Sequence, residues 1–184
     1  MADLGNYVLP APPILTPFAH ENLGGFALAA NSSFFAAVSD VWTARVAYFY
    51  PVVLTDWATA RQLLFWVGAV SAGNIDVGIY DAEKHLIVSS GSTPMSAVVN
   101  TVQELNIPDT PLAPGRYLLA AVSDSTTGTC FRAEPAQGDE LFLSGAVVYD
   151  QPSGFPLPDP CTPVVTTEVI PPIKVIGIQL SPTF

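Results

Sequence analysis

The chain has 184 residues, enough for one domain with a full hydrophobic core and no disulfide staples. Apolar residues make up 49% of it, and 16 acidic against 6 basic residues leave a net charge of −10. That balance excludes the basic surface a nucleic-acid binder needs and disfavours docking on an anionic membrane. No apolar run reaches the roughly 18 residues of a spanning helix, and the nearest, Leu63–Val70, is strand-length. MADLGNYVLPAPP has neither a basic nor an apolar leader region, so no secretory signal and no membrane insertion are expected.

Residues 1–18 carry four prolines without amphipathic period and read as an extended arm. Residues 19–43 give weak signals, with a short strand or helix around Gly25–Ala30. Ala44–Leu54 is rich in aromatic and β-branched residues, and Pro51 inside it points to an edge strand or a bulge. Thr55–Ala60 reads as a connection, and Gln62–Val70 as a strand covered on both faces. In Asn74–Tyr80, Ile75, Val77 and Ile79 alternate with Asn74, Asp76, Gly78 and Tyr80, the period of a half-buried strand. Asp81–Lys84 breaks the pattern and Leu86–Val88 resumes it, as in a β-hairpin.

Ala97–Asn106 is open between helix and strand: Val98, Val102 and Leu105 fit a helix, whereas Val99, Asn100 and Thr101 favour a strand. Pro111–Gly115 is a turn signal, Arg116–Ser123 a strand, Asp124–Thr129 a polar loop and Cys130–Ala133 a short strand. Leu141–Tyr149 is a last strand or a docked apolar segment. From 151 to 184 prolines recur, excluding helix interiors and central strands, with strand-like pieces at Thr166–Ile170 and Ile173–Leu180. Short strands, frequent turns and no βαβ alternation predict an all-β antiparallel sandwich over 19–150, with arms at 1–18 and 151–184. The arms' aliphatics, Leu9, Ile14, Leu15, Val169, Ile170, Ile173, Val175 and Ile176, are the expected interface anchors, since a free monomer would struggle to hide them.

The segments QLLFWVGAVSAGNIDVGIYDAEKHLIVSSGST and TPLAPGRYLLAAVSDSTTGT resemble a jelly-roll-like β-sandwich module of tailed-bacteriophage virion proteins. The motif elements are Gly73–Asp81 and Leu112–Ala120, and the resemblance covers residues 44–133. It implies a structural or adhesive part of a tail, baseplate or capsid surface, made in the host cytoplasm and located in the virion. It implies other virion proteins and further copies of the chain as partners, a trimer by family habit, and neither a catalytic set nor a cofactor. The same local pattern occurs in secreted β-sandwich modules that bind carbohydrate, so a host-surface glycan is the alternative partner.

Candidates for chemistry are few. His20 and His85 stand outside any H-x-x-H or H-E-x-x-H context, and no serine lies in G-x-S-x-G. Asp76 with Glu104 would be the carboxylate pair of a glycosidase, and Asp124 with Asp76 or Asp81 a calcium site. No spacing supports either, and Asp76 is expected on a solvated strand face. Cys130 and Cys161 do not make a metal motif and are expected as free, buried or half-buried thiols. The Asn31-Ser32-Ser33 sequon would matter only in a secretory pathway. Trp42, Trp57 and Trp66 are core or interface residues in the ordinary reading. Trp57 and Trp42 are the candidates for stacking on a sugar ring in the alternative. No enzymatic activity is expected, because no nucleophile–base pair or metal cluster can be assembled.

Overall fold

The computed structural model describes residues 14–15, 26–28, 36–134, 149–165, 173–174 and 176–182. All of its regular structure is strand. In chain order these are β1 (Ile14–Leu15), β2 (Phe26–Leu28), β3 (Ala36–Val41), β4 (Ala47–Leu54), β5 (Ala58–Val67), β6 (Asn74–Tyr80), β7 (Leu86–Ser89) and β8 (Thr93–Pro94). They continue with β9 (Thr101–Leu112), β10 (Gly115–Ser123), β11 (Thr129–Glu134), β12 (Tyr149–Gln151), β13 (Val164–Val165), β14 (Ile173–Lys174) and β15 (Ile176–Pro182).

Two sheets result. The first runs β13-β12-β4-β10-β6-β7, with β1 beside β4 and β8 beside β6. The second runs β14-β11-β5-β15-β2, with β3 on β11 and β9 on β5. Every ladder is antiparallel except the two-residue β1–β4 pairing. The protein is an all-β antiparallel sandwich.

Alternation builds the core between the sheets. Tyr48, Tyr50, Val52 and Leu54 of β4, Ile75, Val77 and Ile79 of β6, and Leu119 and Ala121 of β10 face Leu63, Phe65 and Val67 of β5 and Leu105, Ile107 and Leu112 of β9. Each large aliphatic side chain so buried contributes about 1.5–3 kcal/mol. Trp42 caps this core, 1% exposed, with its ring edge-on to Tyr48 at 5.3 Å and tilted on Phe65 at 5.7 Å.

β5 starts earlier than the sequence suggests, taking in residues 58–60 that read as a connection. Ala58 and Ala60 face the core, then Leu63, Phe65 and Val67 do, so the parity changes. The ladders to β9 and β15 both slip at Arg61, a bulge that keeps both apolar sets on the inner face. Residues 97–106 divide into a loop and the start of β9, which settles their ambiguity as strand. Pro51 does not mark an edge strand: β4 lies inside its sheet, paired to β10 along Ala121–Gly115. On its other side β12 pairs Ala47–Phe49 and β1 pairs Val53–Leu54, so Pro51 falls in the gap between two short partners. A residue without an N–H is tolerated there.

Apart from residues 152–163, the described pieces of 1–18 and 151–184 are strands of these sheets. β1 lies on β4, while β15 pairs with β5 from Ala58 to Phe65 and with β2 on its other side. Between β12 and β13, residues 152–163 form a strap over the outer face of the first sheet. Leu157 and Cys161 join Ala47, Phe49, Tyr80, Ala120 and Val122 in a second apolar cluster there.

Candidate interaction surface

The strap determines the state of the carboxylate at Asp76. The alternation of β6 sends Asp76 outward, but the strap closes over it and leaves it 1% exposed, which corrects the expectation of a solvated face. Leu157 N–H donates to its Oδ2 at 3.1 Å, and the Ser90 hydroxyl lies 3.4 Å from Oδ1. Burial raises its pKa above the ordinary 3.8, and hydrogen bonds from Leu157, Ser89, Ser90 and Gly91 oppose that rise in part. Tyr80 donates its phenolic proton to Pro158 O at 2.7 Å, and burial raises its pKa. Gly78 completes the fit, since a Cβ there would stand 2.8 Å from Leu157 Cδ1. A glycine inside a strand marks such a close approach, and it is the one sequence signal that could have revealed the strap.

Glu104 is exposed on β9, in the other sheet, with Leu105 and Ile107 turned inward beside it. Asp76 and Glu104 therefore lie on opposite outer faces of the sandwich and cannot flank one bond as a glycosidase pair must. Asp124 accepts from Asn74 N–H at 2.7 Å and from Asn74 Nδ2 at 2.9 Å, and these donors lower its pKa. Asp81 stands beyond the other end of β6, where its Oδ1 accepts from His85 N–H at 2.8 Å. Asp124 and Asp81 are separated by the length of β6, roughly 20 Å, and Asp76 is buried under the strap on Leu157 N–H while Asp124 is held by Asn74, so neither carboxylate pair forms the expected calcium site.

His85 Nδ1 lies 3.3 Å from Asp159 Oδ1 on the exposed rim of the strap, and Leu86 N–H donates to the same oxygen at 3.1 Å. His20 lies outside the described residues. Cys130 is buried in the core between the sheets and Cys161 under the strap on the outer face of the first sheet. A sheet separates the two thiols, which form no disulfide, and burial pushes the pKa of Cys161 up to about 11. Asp76, Asp81, Asp124 and Asp159 are thus tied to backbone N–H groups of the scaffold.

The surface offers apolar side chains instead. Trp57 projects from the β4–β5 turn, 58% exposed. Trp42 is core and has no face to present, which removes it from the stacking reading. Val164 and Val165, on the outermost described strand of the first sheet, are 58% and 59% exposed. Val41, Val70, Val98, Val99 and Val102 are exposed where the loops after β3, β5, β8 and β10 meet. Val98, Val99 and Val102 figure in the sequence only as helix-or-strand signals and none of these valines is expected at the surface, because an exposed and a buried valine look alike there. Of the expected anchors, Ile14, Leu15, Ile173 and Ile176 lie in β1, β14 and β15, and Leu9, Val169, Ile170 and Val175 lie outside the described residues. Comparison with family models, with curated proteins and with solved structures finds no match.

Proposed function

We propose that the chain is a non-enzymatic structural protein of a tailed-phage virion, a tail, baseplate or capsid-surface component that assembles with its own copies and with other virion proteins. The observation that carries this reading is the exposed apolar pair Val164–Val165 on the outermost described strand of the first sheet. An apolar edge strand is a ready partner for another chain, and isolated proteins ordinarily blunt such edges. β9 shows that blunting: it carries Pro108 and Pro111, with Glu104 and Asp109 exposed. The Gly73–Asp81 and Leu112–Ala120 motifs support the reading as scaffold, because their strands β6 and β10 pair side by side.

The test has two parts. A chain lacking residues 1–17 is expected to keep the strand signature in circular dichroism but to assemble more weakly. If it assembles as well as the full chain, the N-terminal segment has no part in assembly. In particles purified from a lysate of the host carrying this gene, the chain should copurify with the virion peak. Its absence from the particles would end the virion reading.

Trp57 favours a second reading, a carbohydrate- or receptor-binding module at a tail tip, because an exposed indole offers a rigid face to a sugar ring. On that reading Trp57→Ala abolishes binding on a glycan array while changing stability by no more than about 0.5 kcal/mol. No binding of the wild-type chain to host-surface glycans would remove it.

A further inference from the structure

We infer that the sandwich end carrying Val41, Val70, Val98, Val99 and Val102 is a self-association surface whose partner is the same end of a second copy. Backbone bonds hold these side chains at one end of the molecule. Trp42 N–H donates to Gly128 O at 3.2 Å, Gly68 N–H to Thr129 O at 2.9 Å, and Asn100 N–H to Gly68 O at 3.0 Å. Thr129 N–H donates to Val70 O at 2.8 Å, and Thr129 pairs with Val41 across the β3–β11 ladder. The valines therefore lie along one end of the sandwich, from the end of β3 past the start of β11 to the start of β9. Val98 is 64% exposed and Val41 49%. Exposed apolar side chains gathered at one end of a molecule mark an interface.

Charge names the occupant. The chain carries −10, so two copies repel wherever acidic faces meet. The loops closing this end, residues 42–46, 68–73, 95–100 and 124–128, hold Arg45 and Asp124 as their charged residues. Their formal charges cancel, and the Arg45 cation helps to hold the Asp124 carboxyl low. The opposite end differs, with Asp56, Asp81, Glu83 and Lys84 in the turns at 55–57 and 81–85. Exposed Glu104 lies two residues beyond Val102 on β9, but the loops themselves carry no net charge, so this is the end where like-charged copies approach with least repulsion. A strongly basic partner would instead be drawn to the acidic faces. Face-to-face contact of one patch with itself is the isologous arrangement of a twofold dimer. The inference deepens the assembly reading and rests on it in taking the partner to be another copy.

The test is sedimentation velocity on the full chain and on Val70→Glu/Val98→Glu, with folding checked by circular dichroism. The wild type is expected to self-associate with concentration. The double variant should associate roughly tenfold more weakly or worse, because each contact would then bury like charges. Val98→Glu alone serves if the double variant fails to fold, since its position is the more exposed. Association of the valine variants at wild-type strength overturns the inference, while loss on truncating residues 1–17 would still support assembly through the terminal segment. A wild-type chain that stays monomeric throughout also overturns it, and copurification with virions decides separately whether the virion reading stands.

Discussion

Trp42→Ala is expected to destabilise the protein by about 3–5 kcal/mol, the cost of emptying a large aromatic site that neighbours fill only in part. Trp42 is 1% exposed, meets Tyr48 and Phe65 ring to ring, and donates its indole N–H to Val46 O at 2.9 Å. Truncation removes all three contacts and leaves the Val46 carbonyl without that donor. For a chain of this size the loss corresponds to a fall in Tm of roughly 10 °C. Thermal unfolding followed by circular dichroism measures it, with Trp57→Ala as the control. A Trp42→Ala chain that melts with the wild type would mean that Trp42 does not cap the core.

Asp76 should separate two substitutions by pH. Asp76→Ala leaves the buried Leu157 N–H without its acceptor, which costs about 1–3 kcal/mol. Asp76→Asn keeps an acceptor for Leu157 and removes a charge that burial disfavours. The wild-type carboxyl has a folded pKa raised above its ordinary 3.8, so the folded state holds a proton that the unfolded chain releases. Wild-type stability from this group is therefore fully present below 3.8 and is lost as pH rises through that value towards the folded pKa. Asp76→Asn lacks this loss, so its stability relative to wild type should improve as pH rises across the window. Asp124, whose pKa is lowered, acts in the opposite sense: its stabilisation is lost as pH falls through the depressed value. The Asn-minus-wild-type difference from urea unfolding at several pH values cancels the Asp124 contribution. A difference that worsens with rising pH would show that the buried carboxylate is stabilised in its charged form.

Local pattern made part of this fold legible. β6 is read from period-2 alternation, because its inward Ile75, Val77 and Ile79 are large aliphatics and its outward Asn74 and Asp76 are polar, whereas β10, apolar on both faces, is read as a strand-length run between turn signals. β5 is harder: Ala58 and Ala60 are weak apolar signals, and the bulge at Arg61 changes parity, so no single alternation spans the strand. β9 hides behind Pro108 and Pro111, which read as turn residues although an edge position accommodates them. Asp76 shows the deeper difficulty. Alternation states which face a residue occupies but not what covers that face, and the cover here is a strap about 80 residues further along the chain. The tryptophans divide for the same reason, since exposure depends on packing that neither side chain encodes alone. Motif spacing carried no site, and the structure keeps Asp76 and Glu104, and Asp124 and Asp81, apart.

The measurement that tests assembly most directly is the mass of the purified chain by light scattering over a range of concentrations. A homo-oligomer, from the twofold dimer upward, is the predicted result. A monodisperse monomer at every concentration would contradict self-assembly.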